Sequence, residues 1–184
     1  MARLPNFDAK GVLPPRDYVL TFAQLQDSML VKGPKTGSPN WDTQWRGLLV
    51  RNLRSGAKTL WDLGVEHLVI DGSFVEQKDH PNDIDAYFPI SRESWVSREV
   101  ELGLNRKRSE HVWTWDWVHA YKPGDPRVPH LKLPFWHKYR IDLWPHYGQE
   151  AINHERLGWL TFENGFRRTR GGDPKGVVKI FRSG

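Results

Sequence analysis

Two short stretches do most to limit what this chain can become. Asp83-Ile84-Asp85-Ala86-Tyr87-Phe88 and Tyr139-Arg140-Ile141-Asp142-Leu143-Trp144 each alternate acidic or polar side chains with apolar ones. A period of two belongs to an extended strand, where residues two apart share a face. On the first stretch Asp83 and Asp85 project together, while Ile84 and Ala86 face the other side. On the second, Ile141 and Leu143 point inward and Asp142 points away. Each strand therefore offers one face to a core and sets acids on the other.

Carboxylates held side by side repel unless a cation sits between them. Magnesium or manganese suits such a place, because both favour oxygen ligands and leave positions open for phosphates. If the two strands are neighbours, Asp142 joins Asp83 and Asp85. Three carboxylates can hold two such ions, the arrangement used for in-line phosphoryl transfer. Upstream, Glu66 to Ile70 reads as a short apolar strand that runs into Asp71-Gly72-Ser73. Glycine lets a phosphate approach the backbone closely, and the local N–H groups and the Ser73 hydroxyl can donate to it. A polar loop from Glu76 to Asn82 then leads back to the acid pair.

The rest of the chain supplies a frame. Thr21-Phe22-Ala23-Gln24 has the form of a capping box and predicts a helix over about 21–32, ended by Lys32-Gly33-Pro34. Ser38-Pro39 predicts the start of a long helix ending at Gly64. Its buried face carries Trp41, Trp45, Leu48, Leu49, Leu53, Leu60 and Trp61, and Arg46, Arg51, Arg54 and Lys58 take the remainder. Ser91 predicts a cap for a helix through Leu104, followed by a basic loop over Asn105 to Arg108. Residues 111–121 place His111, Trp113, Trp115, Trp117, His119 and Tyr121 at alternate positions, which favours a strand. These tryptophans fit a base-stacking surface or a buried aromatic face, and the buried face is the simpler account. Four prolines over 122–138 predict a loop, Lys138 to Trp144 a strand, and Gln149 to Leu157 a short helix. Trp159–Arg168 and Val177–Phe181 then read as a hairpin turning at Gly171-Gly172. The expected fold class is α/β (or α+β), a small mixed sheet with helices on one side, in a single domain over 1–184.

Cysteine is absent, so disulfides, thiolate zinc sites and a cysteine nucleophile are excluded. The N-terminus has no apolar signal core and no run approaches membrane-spanning length, so a cytoplasmic protein without membrane partners is expected. The formal net charge is +5, and Arg167, Arg168, Arg170, Lys175, Lys179 and Arg182 against Asp173 place all of that excess in the last stretch, 165–184. Such a segment attracts phosphates. Lys175 and Lys179 are its candidates for triphosphate contacts, with solvated surface charge as the alternative.

Taken in order, DGSF, NDIDAYF and RIDLW resemble the nucleotidyltransferase superfamily, related to the polymerase-beta fold. The whole chain, from LPPRDY to PKGVVKI, also resembles a small uncharacterised bacterial and phage family of that fold. The resemblance implies that Gly72 and Ser73 bind phosphate and that Asp83, Asp85 and Asp142 bind two metal ions, Asp142 also helping to activate an attacking hydroxyl. It implies transfer of a nucleoside monophosphate from a nucleoside triphosphate to a hydroxyl of RNA or tRNA, a protein, or a small molecule. Two alternatives stand beside it: a non-catalytic nucleotide- or RNA-binding protein of the same fold, and a toxin–antitoxin or defence module.

Overall fold

Seven strands and seven α-helices make up the described chain, in a computed structural model that describes residues 4–35, 37–107 and 111–182. The first residues of the chain, position 36 of the loop after the first helices, and Arg108 of the expected basic loop lie outside these. The main sheet contains β1 (Asp17–Leu20), β2 (His67–Asp71), β3 (Ile84–Pro89), β4 (Ile141–His146) and β7 (Val177–Phe181), in the order β1-β7-β2-β3-β4. β1 with β7 and β3 with β4 are parallel; β2 is antiparallel to both β7 and β3. The α/β class and the mixed sheet are thus as the alternation implied.

One face of this sheet carries Leu68, Ile70, Ile84, Ala86, Phe88, Ile141, Leu143, Val178 and Ile180, all buried in the main core. Leu49, Val50, Leu53, Ala57 and Leu60 of α3 (Thr43–Trp61) belong to the same core. Asp42, not Ser38, caps α3, its side chain accepting from the Trp45 N–H at 2.9 Å. The Ser38 hydroxyl donates instead to Asp79 at 2.6 Å. The other face is also covered, contrary to the expectation of helices on one side only. There Val69, Tyr87 and Val177 pack with Phe162 and Phe166 of α7 (Phe162–Phe166). Trp144 and Ile152 close this smaller cluster.

Several local expectations are revised by capping and long-range pairing. The capping box at Thr21 and Gln24 is formed, but Ser28 interrupts the helix and caps a second turn, giving α1 (Phe22–Asp27) and α2 (Met29–Lys32). The helix from Ser91 likewise breaks at Arg98, which has φ 55°, into α4 (Arg92–Val96) and α5 (Glu99–Lys107). Residues 111–121 form no strand. Trp113 and Trp115 are buried against Phe135 and Phe88, and Trp117–His119 is a short 3₁₀ turn. Lys138 and Tyr139 end α6 (Pro134–Tyr139), and Arg140 in a left-handed conformation turns the chain into β4. The expected helix over 149–157 is β5 (Glu150–His154), paired with β6 (Gly158–Thr161). The turn near Gly171-Gly172 exists as a bridge between Arg168 and Pro174, but β7 pairs with β1 and β2 rather than with 159–168.

Arg46 was expected on the open side of α3 and is instead fully buried. Its guanidinium donates to the carbonyls of Leu30 and Phe74 at 2.6 and 2.8 Å, and to those of Glu76 and Lys78. Trp41 lies against it, with ring centre 3.9 Å from Cζ. Burial pushes its pKa down to about 9, so it stays protonated at neutral pH. One buried cation thereby fixes the loop that leaves Gly72-Ser73.

Candidate functional site

Strand register brings the acids together. Asp85 of β3 lies opposite Asp142 of β4 on one side and Asp71 of β2 on the other. Cross-strand partners share a face, so these three form one row, with Val69, Tyr87 and Trp144 in the next row on that same face. Asp83, just ahead of β3, reaches the row through Lys132. The Lys132 ammonium lies 2.7 Å from Asp142 Oδ2 and 3.3 Å from Asp83 Oδ2. Two indole N–H groups orient the same carboxylates: Trp136 donates to Asp83 at 2.7 Å and Trp144 to Asp142 at 2.8 Å. All three sequence-predicted acids therefore meet, and Asp71 adds a fourth.

Gly72 explains how tightly the row is built. It has φ +70°, and a Cβ placed there would lie 1.6 Å from Asp85 Oδ2 and 2.6 Å from Asp85 Cγ. Only glycine leaves room for the carboxylate and adopts this backbone without strain. Gly72 and Ser73 open a 3₁₀ turn, Gly72–Val75, at the end of β2. That turn sits beside the acid row.

The electrostatics are those of a cluster short of positive charge. Burial first, then the neighbouring Asp83 and Asp142, hold the Asp85 carboxyl well above the usual carboxylate range, with Lys132 opposing. Burial raises Asp71 to about 7, against the pull of Lys175 and the Gly72 N–H. Burial alone would depress the Lys132 ammonium, but Asp142 and Asp83 outweigh it and its pKa is raised. Among the described residues, no group of three or more acidic or histidine side chains is spaced as a ready-made metal cage. In this arrangement a lysine ammonium bridges two of the acids.

The two predicted triphosphate lysines fare differently. Lys175 is buried and joins the cluster from behind, 3.0 Å from Asp71 Oδ1 and 2.6 Å from Glu76 Oε1. The Asp71 contact is an ion pair outside hydrogen-bond alignment. Lys179 is not brought to the acids: it lies in the Val69 row of β7, and its ammonium pairs with Asp17 at 2.7 Å. Arg167 shares that Asp17. A groove of about 650 Å³ lined by Arg16, Asp17, Arg167, Arg168 and Lys175, among others, opens beside this edge. His146 is on β4 but contacts Tyr87 and Phe162, in the aromatic cluster.

Sequence reasoning missed Asp71, Lys132 and Trp136. Asp71 stands in the very Asp-Gly-Ser stretch singled out, and alternation from Val69 was its available signal. Lys132 and Trp136 carry none, because they reach Asp83 across 49 and 53 residues of chain.

Fold and site together define a mixed α/β protein with a row of aspartates at one end of its sheet, backed by a glycine turn. Residues 5–181 match DUF6932, a family of unknown function, and the chain belongs to that family. No curated protein and no solved structure matches it. No described helix is long and apolar enough to cross a membrane.

Proposed function

We propose that this protein is a metal-dependent nucleotidyltransferase that moves a nucleoside monophosphate from a nucleoside triphosphate to a hydroxyl acceptor. The observation that carries the reading is the seating of the Asp85 carboxylate directly against Gly72, within one row that includes Asp142. The glycine turn and the acids are contiguous in space rather than merely close in sequence, which supports a phosphate contact next to bound cations.

The residues fit a divalent cation by charge and by donor type. Among the described residues, Asp71, Glu76, Asp83, Asp85 and Asp142 are gathered around the ammonium groups of Lys132 and Lys175. Burial and the neighbouring acids favour the protonated forms of Asp71 and Asp85, whose protons a divalent cation would displace, and carboxylate oxygen is the donor that hard cations prefer. Asp83, Asp85 and Asp142 would hold magnesium or manganese, which when bound supplies charge neutralisation of the triphosphate. The chain's own residues do the rest. The Gly72-Ser73 turn offers the Ser73 N–H and hydroxyl to the triphosphate. Trp136 and Trp144 hold Asp83 and Asp142 in fixed orientations, which limits the reorganisation needed at reaction. The acceptor oxygen forms a bond to the α-phosphorus, the bond from that phosphorus to the bridging oxygen breaks, and pyrophosphate leaves. The acceptor proton passes to Asp142.

A second reading, a non-catalytic nucleotide- or RNA-binding protein, draws on one observation: Lys132 already bridges Asp83 and Asp142. Incubation of the protein and magnesium with each labelled nucleoside triphosphate, in the presence of cellular RNA and protein, separates the two. Transfer reads as label made covalent on a macromolecule and abolished by Asp85→Asn. Nucleotide retention without covalent label favours the binding protein, and transfer undiminished in Asp85→Asn contradicts the site assignment.

A further inference from the structure

The side of the acid row away from Gly72 carries an aromatic surface that the reaction as described does not use. Trp144, two residues beyond Asp142, donates its indole N–H to Asp142 Oδ1. Trp117 lies against it, ring centres 5.6 Å apart and planes at 34°. Trp117 is 54% exposed and its neighbour Val118 77% exposed, so this turn presents apolar surface to solvent. Asp116 caps that turn, accepting from the Val118 N–H at 3.0 Å, so the indole is presented on a fixed backbone.

The chain that follows is basic and returns to the site. Residues 117–140 hold Lys122, Arg127, Lys132, Lys138 and Arg140 against Asp125. Arg127 and Asp125 neutralise each other, and Lys132 is paired with Asp83 and Asp142, so the excess charge is carried by Lys122, Lys138 and Arg140. Tyr121, 51% exposed, is bridged to Lys132, whose ammonium touches the acids, and stacks on His137 with ring centres 3.6 Å apart. Exposed flat rings interleaved with cations suit single-stranded nucleic acid, whose bases stack while its phosphates are neutralised.

In-line displacement fixes which substrate meets this surface. Attacking and leaving groups lie on opposite sides of the phosphorus. With the triphosphate tail at Gly72-Ser73, on the β2 side, the attacking hydroxyl arrives from the β4 side, over Asp142. We infer that Trp117, backed by Trp144, is a stacking platform for a nucleobase of the acceptor, and that the acceptor is a single-stranded nucleic acid. This rests on the nucleotidyl-transfer reading and adds to it the acceptor's class.

The test is fluorescence anisotropy of an end-labelled single-stranded RNA of about ten nucleotides, with wild type, Trp117→Ala and Trp117→Phe. Affinity for nucleoside triphosphate with manganese is measured alongside, for these proteins and for Asp85→Asn. Loss of one stacked base predicts about 5- to 150-fold weaker RNA binding by Trp117→Ala, with recovery in Trp117→Phe and no change in triphosphate affinity. Equal RNA binding by Trp117→Ala and wild type overturns the inference alone, as does weakened triphosphate binding in its place, which would put Trp117 on the donor base. Absence of RNA binding by wild type with label passing to protein overturns it in favour of a protein acceptor. Triphosphate affinity equal in wild type and Asp85→Asn overturns the underlying reading, and the acceptor assignment with it.

Discussion

Replacing Gly72 by alanine should damage this protein far more than the same change at Gly64, and the difference measures the fit between glycine turn and acid row. Both glycines have positive φ, +70° and +87°. Each alanine therefore costs about 1–2 kcal/mol for entering the left-handed region. At Gly64 nothing lies within 4 Å of the added Cβ, so that cost is the whole effect. At Gly72 the Cβ would sit 1.6 Å from Asp85 Oδ2, about half of any contact that real structures tolerate. Asp85 must leave its rotamer or β3 must shift, which adds about 1–3 kcal/mol. Urea denaturation followed by tryptophan fluorescence should thus show about 2–5 kcal/mol lost in Gly72→Ala and about 1–2 in Gly64→Ala. In an Asp85→Ala background most of the excess at Gly72 should disappear. Equal destabilisation at the two glycines, or an excess that survives removal of the Asp85 carboxylate, would refute the contact.

Other consequences are open to direct measurement. Arg46→Met leaves buried carbonyls of Leu30, Phe74, Glu76 and Lys78 without a donor and should cost about 3 kcal/mol or more in denaturant melts; Arg46→Lys should recover little, since an ammonium lacks the planar fork. Asp71 keeps its proton in the folded state from the ordinary 3.8 up to about 7, while the unfolded chain has released it. The folded state binds more protons in that window, so this group's contribution to stability falls as pH rises through it. Asp71→Asn should accordingly gain on wild type between about pH 4 and about pH 7, and a constant difference would contradict the shift. Lys132→Met leaves Asp83 and Asp142 without their ammonium and should lower stability by about 1–3 kcal/mol, recovered by millimolar manganese in thermal melts. Failure of manganese to restore it would mean that the ammonium and the metal do not share those carboxylates.

The acid row was legible where local periodicity carries it. Alternation in 83–88 and 139–144 separated the acids from Ile84, Ala86, Ile141 and Leu143, and parallel pairing of β3 and β4 did what two such strands do. Asp71 obeys the same period from Val69 but was read only as the start of the glycine turn. Arg46 stands one residue past Trp45 on a helix, where spacing marks a solvent side; the loop over 74–78 turns that side into an interior. The C-terminal strand Val177–Phe181 is where the apolar run put it, but its partner was misassigned because such a run announces a strand without naming its neighbours, and β7 finds β1 and β2 across more than a hundred residues. β5 was read as a helix because 149–157 is polar and its apolar complement lies in α7 and Trp144. Trp113, Trp115 and Trp117 keep their alternation yet divide between core and surface, which sequence spacing alone does not distinguish.

The account turns on whether the aspartates around Gly72 take up divalent ions together. Electron paramagnetic resonance of free manganese, titrated into wild type and Asp85→Asn with and without nucleoside triphosphate, asks this without any assumption about the acceptor. Saturable binding by wild type, tightened by the triphosphate and weakened about tenfold or more in Asp85→Asn, is the predicted result. Identical, unsaturable titrations for the two proteins would show that the row is a structural ion-pair network and would contradict the function proposed for it.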